Sequence, residues 1–452
     1  MFAHSGTSGA TSTYSPLNLP TGLAADLRQR ETDENPIRVG VIGCGEMGTD
    51  LVTQIARMQG LRITAIADRR LINAPAAFEI AGLDKALAVV CETPAAMSRA
   101  IEAGQTAVSP DAAMVATHDL VDVVVDATGR PAIGAEIGLL AMEHGKHLVM
   151  MNVEADVTIG AYLKHRADQL GVVYTVGAGD EPSSCMELIN FVTALGYPVI
   201  AAGKGKNNPL NVDAVPDDYR AEAEQRNMNP RMLVEFVDGS KTMVEMCAIA
   251  NATGLVPDVP GMHGPNASLE TLQDVLCPRE DGGVLSRKGV VDFTVGKGVA
   301  PGIFVIAELD HPRLMERMSD LKLGPGPYYT FYRPYHLTSL EVPLSCARAG
   351  LYGLADMCPL LKPTAEVCAL AKRDLKPGDR LDFIGEYTYR AWTMTYEDAR
   401  TKSARPCGLL EGASVIAPIK RGDLITTHNT TIDETTALAT MRAEQDSWLQ
   451  GC

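Results

Sequence analysis

Two lysines and two carboxamides lie within one short, glycine-rich segment of the sequence, residues 203–209. Ammonium groups can bind an anionic group and stabilise the alkoxide that develops on a reacting oxygen. Lys204 and Lys206 are therefore candidate catalytic residues, on backbone that the glycines predict to be flexible. Asn207 and Asn208 are candidate substrate ligands. A solvated turn is the alternative interpretation of this segment.

Further polar groups follow predicted strands. Asp180 and Glu181 stand between a glycine-rich stretch and a predicted helix. Their carboxylates could hold a divalent metal ion, Mg²⁺ or Mn²⁺, or act as catalytic acid and base. Asn152 follows another strand and is a catalytic candidate at the edge of a nicotinamide pocket. Glu154 and Asp156 come next, and these two acids alternatively favour a helix N-terminus through the helix dipole.

Two later segments also combine polar and unusual residues. The aromatic-rich segment Tyr328–Glu341 contains Arg333, a natural clamp for phosphate or carboxylate, and His336, a possible general acid. A strand that packs its rings in the core is the alternative. Lys297 lies in the glycine-rich segment 296–302, whose glycines we expect to approach a ligand closely, and it is a cofactor-binding candidate.

The glycines at 43, 45 and 48 match the pattern Gly-x-Gly-x-x-Gly. An apolar strand predicted over Ile37–Gly43 precedes it, and a helix predicted over Thr49–Gln59 follows, which is the context that dinucleotide binding requires. The first glycine permits the tight turn, the second lets a diphosphate approach the backbone, and the third allows close helix–strand packing. A turn without a ligand is the alternative. The expected cofactor-binding residues of this turn are Gly43, Gly45, Glu46, Met47 and Gly48.

The end of the next predicted strand, Leu61–Ala67, carries two conflicting signals about the cofactor. Asp68 stands where an acid would bind the ribose 2′-OH of NAD. Arg69 and Arg70 instead suit the 2′-phosphate of NADP, although they could also form a solvated basic loop. Because the two arginines are adjacent, we expect NADP(H) in preference to NAD(H).

A later apolar strand, Val121–Asp126, ends in the small residues Ala127, Thr128 and Gly129. Ligands of open α/β sheets bind at the carboxyl ends of the strands. These three residues are therefore expected beside the ribose and nicotinamide, with a plain strand-to-helix turn as the alternative.

Apolar strands that alternate with helices predict a parallel sheet covered on both faces, and hence an α/β fold with an N-terminal Rossmann domain. The expected units are a tail and short helix over residues 1–35, the Rossmann domain over 36–155, a central α+β domain over 156–350, a small β unit over 363–430 and a C-terminal helix over 431–452. In the central domain, Met232–Val237 is predicted as a strand. In the β unit, the similar segments ALAKRDLKPGDRL and VIAPIKRGDLI predict two small β hairpins.

Composition excludes several other classes of protein. The formal net charge is −16, so broad nucleic-acid binding is not expected. The ten cysteines form no metal-binding pattern, and we expect buried free thiols such as Cys44, Cys247 and Cys368 in a reducing compartment. No apolar run approaches the roughly 20 residues that span a bilayer. We therefore expect a cytoplasmic protein that binds a small anionic substrate.

Taken together, the motifs resemble the homoserine dehydrogenase superfamily, and more specifically the 1-deoxy-D-xylulose 5-phosphate reductoisomerase-like oxidoreductases. The resemblance runs from about Pro36 to Ile425 and rests on IRVGVIGCGEMG, VVVDATG, GKHLVMMNVEAD, GAGDEPSSCMELI, AGKGKNNPLN, VGKGVAPGIFV and YRPYHLTSLEVP. It implies that the central domain is catalytic and forms a homodimer, and that the β unit is a SAF-like domain. It also places the lysine that handles the substrate proton in homoserine dehydrogenases near Lys204 or Lys206.

The activity that this resemblance implies is the NADPH-dependent conversion of deoxyxylulose 5-phosphate to methylerythritol 4-phosphate, for isoprenoid synthesis. A divalent ion would polarise the reacting oxygens. One alternative is a dehydrogenase of another small polyhydroxy or sugar-acid substrate. A second alternative, from a different class, is a nucleotide-binding sensor without catalytic activity.

The arginine pair gives a test of cofactor preference. Replacing Arg69 and Arg70 together by alanine should raise the dissociation constant of NADPH about tenfold or more, because charge-assisted hydrogen bonds to the 2′-phosphate are lost. The dissociation constant of NADH should change far less. Fluorescence titration with both cofactors measures this, and equal losses for the two would reverse the assignment.

Overall fold

A computed structural model gives the fold and describes Leu17, residues 19–226 and residues 228–450. The tail predicted over residues 1–17 lies, apart from Leu17, outside the described residues. The short helix expected after it is α1 (Leu23–Thr32).

Seven parallel strands form the first sheet, in the order β3-β4-β2-β1-β5-β6-β7. The elements of this unit are β1 (Ile37–Ile42), α2 (Glu46–Ile55), β2 (Leu61–Ala67), α3 (Asn73–Ile80), β3 (Ala88–Val90), α4 (Pro94–Glu102), β4 (Thr106–Ser109), α5 (Ala112–Ala116), β5 (Val123–Asp126), α6 (Pro131–Glu143), β6 (His147–Met150), α7 (Val153–Leu170) and β7 (Tyr174–Val176). Buried apolar side chains cover both faces of the sheet, which confirms the predicted α/β class. The sheet continues past the boundary expected at residue 155, because β7 pairs with β6.

The central unit contains a mixed sheet of five strands in the order β12-β11-β8-β10-β9. Its elements are α8 (Glu181–Ala194), β8 (Val199–Gly205), α9 (Arg220–Gln225), α10 (Pro230–Val237), α11 (Ser240–Thr253), β9 (Val256–Pro257), α12 (Leu272–Val275), β10 (Val290–Thr294), β11 (Ile303–Glu308), α13 (Pro312–Asp320), β12 (Tyr328–Arg333) and α14 (Val342–Tyr352).

The strand predicted over Met232–Val237 is wrong, because this segment is helix α10. A short apolar run does not by itself distinguish a strand from a helix. The signal that decides lies just before the run. The side chain of Asn229 caps the helix by accepting a hydrogen bond from the backbone of Arg231, and Pro230 occupies the first turn.

The flexible backbone predicted around Lys204 and Lys206 is also wrong, since Lys204 lies in β8, between β10 and β11 in the sheet. The glycines of this strand serve close packing. A Cβ atom on Gly203 would lie 1.6 Å from the carbonyl oxygen of Asp292, and one on Gly205 would lie 2.3 Å from the nitrogen of Ala300. Glycine inside a strand marks such close approach of backbones, as well as marking turns.

The third unit pairs its two similar segments with each other, and the two separate hairpins predicted for them do not form. Its elements are β13 (Ala365–Ala371), β14 (Tyr389–Thr395), α15 (Tyr396–Thr401), β15 (Ser414–Val415), β16 (Thr430–Thr431) and α16 (Ala437–Gln450). The backbones of Leu375 and Ile419, which occupy equivalent places in the two copies, exchange hydrogen bonds of 2.8 and 3.0 Å. The apolar positions of the repeat therefore meet across a local pseudo-twofold axis.

Helix α11 connects the central unit to the third unit. Twelve of its residues are buried, and the apolar ones among them join a core that also contains residues of α8, β10, β11, β13 and β14. The hydroxyl group of Thr393 in β14 donates a hydrogen bond of 2.7 Å to the carbonyl oxygen of Met243 in α11. The two units therefore share a core.

Nine cysteines of the described residues are free thiols, and eight of them are buried, including Cys44, Cys247 and Cys368 as expected. Among the described helices, none has the length and apolar character that crossing a bilayer would need.

Helix α7 is broken at Ile159, whose φ of −137° is not helical. The carbonyl oxygen of Thr158 and the backbone N–H of Tyr162 would bond to each other in an unbroken helix. Instead, Arg442 of α16 donates to the carbonyl oxygen at 3.0 Å, and the side chain of Gln445 accepts from the N–H at 2.9 Å. Side chains of the C-terminal helix thus satisfy both halves of the broken hydrogen bond.

A buried acid lies just before this break. Asp156 accepts a hydrogen bond of 2.7 Å from the hydroxyl group of Tyr174 on one carboxylate oxygen. Its other oxygen is without a hydrogen-bond partner in the part of the chain that the structure describes. Burial raises the pKa of Asp156 to about 6.

This pKa shift makes the stability of the fold depend on pH. The folded state binds the proton of Asp156 more tightly than the unfolded state, so the contribution is present below about pH 4 and is lost as the pH rises through about 6. The substitution Asp156→Asn should therefore gain about 2–3 kcal/mol in the free energy of unfolding, relative to the wild type, between pH 4 and pH 8. Urea denaturation at the two pH values measures this, and a difference that does not change with pH would contradict it.

Candidate active site

A cavity of about 420 Å³ lies between the first sheet, the central unit and the third unit. Its wall includes Gly45, Glu46, Met47, Ala127, Thr128, Gly129 and Arg130 from the first unit, Asp180, Glu181, Arg231, Glu235, Lys241, Glu245 and His336 from the central unit, and Phe383 from the third. Glu154, at the start of α7, also lines it. The glycine turn and the predicted acids Asp180 and Glu181 therefore face one space.

The glycine turn has the geometry that its sequence predicts. Gly43 has a φ of +96°, and a Cβ atom there would lie 2.8 Å from the carbonyl oxygen of Ala127. A Cβ atom on Gly48 would lie 2.2 Å from the carbonyl oxygen of Gly43, so this glycine allows the close packing. Gly45 has open space around its Cβ position, where a diphosphate could approach the N-terminus of α2.

The edge of β2 lies next to this turn. One carboxylate oxygen of Asp68 accepts a hydrogen bond of 2.8 Å from the backbone of Cys44, and the other accepts one of 2.8 Å from the backbone of Arg70. These bonds fix the Asp68 side chain beside the glycine turn, while Arg69 and Arg70 are exposed. Both signals for cofactor preference therefore remain at the same edge.

The last residue of β5, Asp126, fixes the turn that follows the strand. Asp126 accepts hydrogen bonds of 3.0 and 2.7 Å from the backbone and the hydroxyl group of Thr128, and burial raises its pKa to about 6. This arrangement fixes the turn at Thr128 and Gly129, which line the cavity beside Gly45.

The ammonium group of Lys204 contacts two carboxylates behind the cavity wall. It donates a hydrogen bond of 2.6 Å to Glu181 and another to Glu245, and the side chain is only 8% exposed. Burial opposes its charge, yet the two carboxylates raise the pKa of Lys204 above its usual value. Lys204 is therefore a permanent cation that positions Glu181 and Glu245.

Three carboxylates at this place could hold a metal ion. Asp180, Glu181 and Glu245 each offer one oxygen, and these oxygens lie within 4.8 Å of one another. The second oxygen of the buried Glu245 has no hydrogen-bond partner among the described residues. Burial and the charge of Glu181 raise the pKa values of both Asp180, to about 7, and Glu245. Three acids thus share one ammonium group, and a hard divalent cation would favour the ionised form of all three.

A second pair of carboxyl groups faces the same cavity, bracketed by two cations. Lys241 donates a hydrogen bond of 3.1 Å to Glu154, and Arg231 donates one of 2.9 Å to Glu235. The two acids are close enough for the charge of Glu154 to act on Glu235. Burial and the charge of Glu154 raise the pKa of Glu235 to about 8. Glu235 therefore keeps a proton near neutral pH, as a general acid requires.

His336 lies on the cavity wall between Glu181 and the loop before β11. Its Nδ1 atom is 2.8 Å from the carbonyl oxygen of Pro301, which can only accept, so Nδ1 carries a hydrogen. Its Nε2 atom is 3.5 Å from Glu181. The ring is thus oriented with Nε2 toward the acidic cluster.

The structure leaves several predicted site residues away from the cavity wall. Arg333 binds Glu187 and Glu341 at 2.9 and 2.6 Å, so its guanidinium group is already engaged in ion pairs. Asn152 caps α7 through a hydrogen bond to Ala155. The predicted residues outside the wall are Lys204, Lys206, Asn207, Asn208, Asn152, Lys297, Arg333, Gly43, Gly48, Asp68, Arg69 and Arg70.

The structure shows what Lys206 and the glycine next to Lys297 contact instead of the cavity. Lys206 donates a hydrogen bond of 2.6 Å to the carbonyl oxygen of Phe236, and burial together with the charge of Lys204 lowers its pKa to about 8. Gly296, beside Lys297, makes its close backbone contact with the chain itself. A Cβ atom there would lie 1.7 Å from the carbonyl oxygen of Ala267.

Sequence reasoning missed the charged residues of α10 and α11. Arg231 and Glu235 are four positions apart on one helix, and so are Lys241 and Glu245 on the next. Pairs at this spacing lie on the same face of a helix. In α11 they are the only charged residues of an otherwise apolar or small-residue segment, which is the signal that could have found them.

The first unit and the central unit, which both contribute to the cavity wall, match two different family models. Residues 43–175 match the family model described as the NAD-binding domain of homoserine dehydrogenase. Residues 179–342 match the model described as the catalytic domain of the oxidoreductase DRL. A homoserine dehydrogenase of Methylobacillus glycogenes is 30% identical over 117 residues, which cover 26% of this chain and 25% of that protein. The match thus spans a quarter of that relative.

Similar solved structures are dehydrogenases and reductases. A scyllo-inositol dehydrogenase of Lactobacillus casei has 14% identity, covers 60% of this chain and 73% of its own, and has a TM-score of 0.34. A 3-ketoreductase of Actinomadura kijaniata has 16% identity, coverages of 71% and 91% and a TM-score of 0.36. DOX-P reductoisomerase in complex with NADPH, fosmidomycin and magnesium has 17% identity, coverages of 47% and 58% and a TM-score of 0.31. Similarities of this size assign no substrate.

The matched domains and the glycine turn together define an NAD(P)-dependent oxidoreductase. The parallel sheet matches the model of a nucleotide-binding domain, and the central unit matches the model of a catalytic domain.

Replacing Lys204 tests the role of its ammonium group. The substitution Lys204→Met should lower turnover by about 100-fold or more, because two buried carboxylates lose the cation that positions them. Cofactor binding should persist, since Lys204 lies away from the glycine turn. Steady-state kinetics and NADPH titration measure the two effects. Lys206→Met, from the same segment, should have a much smaller effect, and equal effects would remove the distinction between the two lysines.

Proposed function

We propose that this oxidoreductase is an NADPH-dependent reductoisomerase-like enzyme that acts on a phosphorylated ketose, with deoxyxylulose 5-phosphate as the first candidate and methylerythritol 4-phosphate as its product. The observation that supports this most directly is the cluster of Asp180, Glu181 and Glu245 on the wall that also contains the glycine turn. A carboxylate cluster would hold a divalent ion, and that ion would supply the polarisation of substrate oxygens that rearrangement of a ketose needs.

The residues of the chain divide the work of such a reaction. The backbone around Gly45 would bind the cofactor diphosphate, and Thr128 and Gly129 would lie along the ribose and nicotinamide. Bound cofactor supplies the hydride, and a bound divalent ion held by the three carboxylates would polarise the substrate oxygens. Lys204 keeps two of those carboxylates in place.

Proton transfer falls to other residues on the wall. Lys241 is charged, because Glu154 and the other neighbouring acids raise its pKa against the effect of burial, so it can stabilise a developing oxyanion. Glu235 holds a proton near neutral pH, and the Nε2 atom of His336 faces the acidic cluster. Each can exchange a proton with a substrate oxygen in the cavity.

A dehydrogenase of another polyhydroxy or sugar-acid substrate is the second candidate. The pair of Lys241 and Glu154 favours it, because the carboxylate of Glu154 could accept an alcohol proton while the ammonium group of Lys241 stabilises the oxygen, without a metal ion. The sensor hypothesis has lost its support, because the central unit matches a catalytic domain. The homodimer, the SAF-like nature of the third unit and the cytoplasmic location stay predictions.

The two candidates differ in substrate and in dependence on a metal ion. The wild type with Mn²⁺ should oxidise NADPH when deoxyxylulose 5-phosphate is added, and a panel of sugar acids should give little reaction. The isosteric substitution Glu245→Gln should reduce turnover about 10²–10³-fold, because one charge at the reacting oxygens is lost. It should also weaken Mn²⁺ binding measured by electron paramagnetic resonance while NADPH binding remains.

Glu187→Gln, on the same unit but outside the cavity wall, serves as the matched control. Full activity of Glu245→Gln in the presence of a chelator would contradict the metal-dependent reaction. Turnover of sugar acids alone would favour the second candidate.

A further inference from the structure

The cavity has a cationic end as well as an acidic one. Arg130, directly after the predicted cofactor residues of β5, and Arg231, at the start of α10, both line the wall together with Phe383 of the third unit. The guanidinium carbons of Arg130 and Arg231 lie 5.1 and 4.9 Å from the centre of the Phe383 ring. Three units of the chain thus bring two positive charges to one aromatic ring.

This arrangement is built by specific packing. Arg231 donates a hydrogen bond of 2.8 Å to the carbonyl oxygen of Ile384, and Arg130 binds Glu411 of the third unit at 2.9 Å. Gly385 has a φ of +80°, and a Cβ atom there would lie 2.5 Å from the carbonyl oxygen of Arg231. The loop of residues 383–385 therefore sits directly against the start of α10.

Both arginines retain capacity for an anion. In the described part of the chain their side-chain hydrogen bonds all use Nη1, whereas a guanidinium group has five N–H donors. Glu235, the acid next to Arg231, keeps its proton near neutral pH because burial and the charge of Glu154 raise its pKa to about 8. The charge of Arg231 is therefore not cancelled by that neighbour.

We infer that Arg130 and Arg231, spaced by Phe383, bind the oxyanion group of the substrate, and that the third unit thereby completes the substrate site. This inference rests on the proposed function and names the subsite for the phosphate of the ketose. It moves the anion site away from residues 203–209 and Arg333, where the sequence placed it. A fork of N–H donors suits the oxygens of a phosphate or carboxylate.

The test is a binding experiment on the full chain saturated with NADP⁺, so that the site at Gly45 is already filled and no hydride is available to reduce the ligand. Isothermal titration calorimetry compares deoxyxylulose 5-phosphate, its parent without the phosphate, and inorganic phosphate. The wild type should bind the phosphate ester more tightly than the parent. Arg130→Met and Arg231→Met should each weaken the ester and inorganic phosphate by about 10–100-fold, and leave the parent within about twofold.

Arg390→Met is the matched control. Arg390 also places its guanidinium carbon over an aromatic ring, 4.8 Å from the centre of Trp392, but it lies in the third unit outside the cavity wall. It should leave all three affinities unchanged. Arg231→Lys keeps the positive charge and serves as a control for a folding defect in Arg231→Met. It should retain part of the affinity for inorganic phosphate, with a melting temperature close to that of the wild type.

The outcomes separate this inference from the proposed function. If the two methionine variants keep the preference for the phosphate ester, or lose only NADPH affinity, the subsite assignment is wrong even when deoxyxylulose 5-phosphate is turned over. If the wild type shows no turnover of that ester but binds inorganic phosphate, and the variants do not, the subsite stands and the proposed substrate falls.

Discussion

The buried ammonium group of Lys204 is the interaction on which the site depends. It joins Glu181 at the start of α8 to Glu245 in the middle of α11, from its own place in β8. Without it, two carboxylates would remain uncompensated in a nearly dry environment, which is far more costly than an exposed charge. Because those carboxylates also keep Lys204 charged, it cannot act as a base. Its effect on the two carboxylates is electrostatic, whereas the pKa of Glu235, raised to about 8, lies near neutrality.

The need to fix these buried charges also gives a reason for the packing of the third unit against the central unit. Helix α11 presents Lys241 and Glu245 to the cavity, so its position must be fixed from the opposite side. The third unit does this at the start of the helix. Lys372 lies 2.7 Å from the buried Asp238, and the backbone of Ala391 donates a hydrogen bond of 2.9 Å to the hydroxyl group of Ser240. A shared apolar core continues along the helix. The position of the helix that bears Lys241 and Glu245 is therefore set by residues more than 100 positions away in sequence.

The separation of interacting residues along the sequence decided which parts of the site could be predicted. The glycine turn was predictable because its three glycines, its strand and its helix are neighbours, and the structure gives each glycine its expected steric role. Asp180 and Glu181 were predictable as a pair for the same reason. Glu245 was not, since only tertiary packing of α11 on α8 brings it to them. The glycines beside Lys204 misled because the backbones they approach belong to β10 and to the loop before β11, which the local sequence does not contain.

Helix α7 also depends on distant residues. Its first turn contains Glu154, which forms an ion pair with Lys241. An intact helix would fix Glu154 through its own hydrogen bonds to the later turns. Here the bond between Thr158 and Tyr162 is replaced by Arg442 and Gln445 of the C-terminal helix. Arg442 is in turn held by Glu366 of β13 in a buried ion pair. The third unit and α16 therefore supply the contacts at the break of the helix whose first turn contains Glu154. Phe383, which lines the cavity, and the residues that contact the break in α7 thus both come from the C-terminal part of the chain.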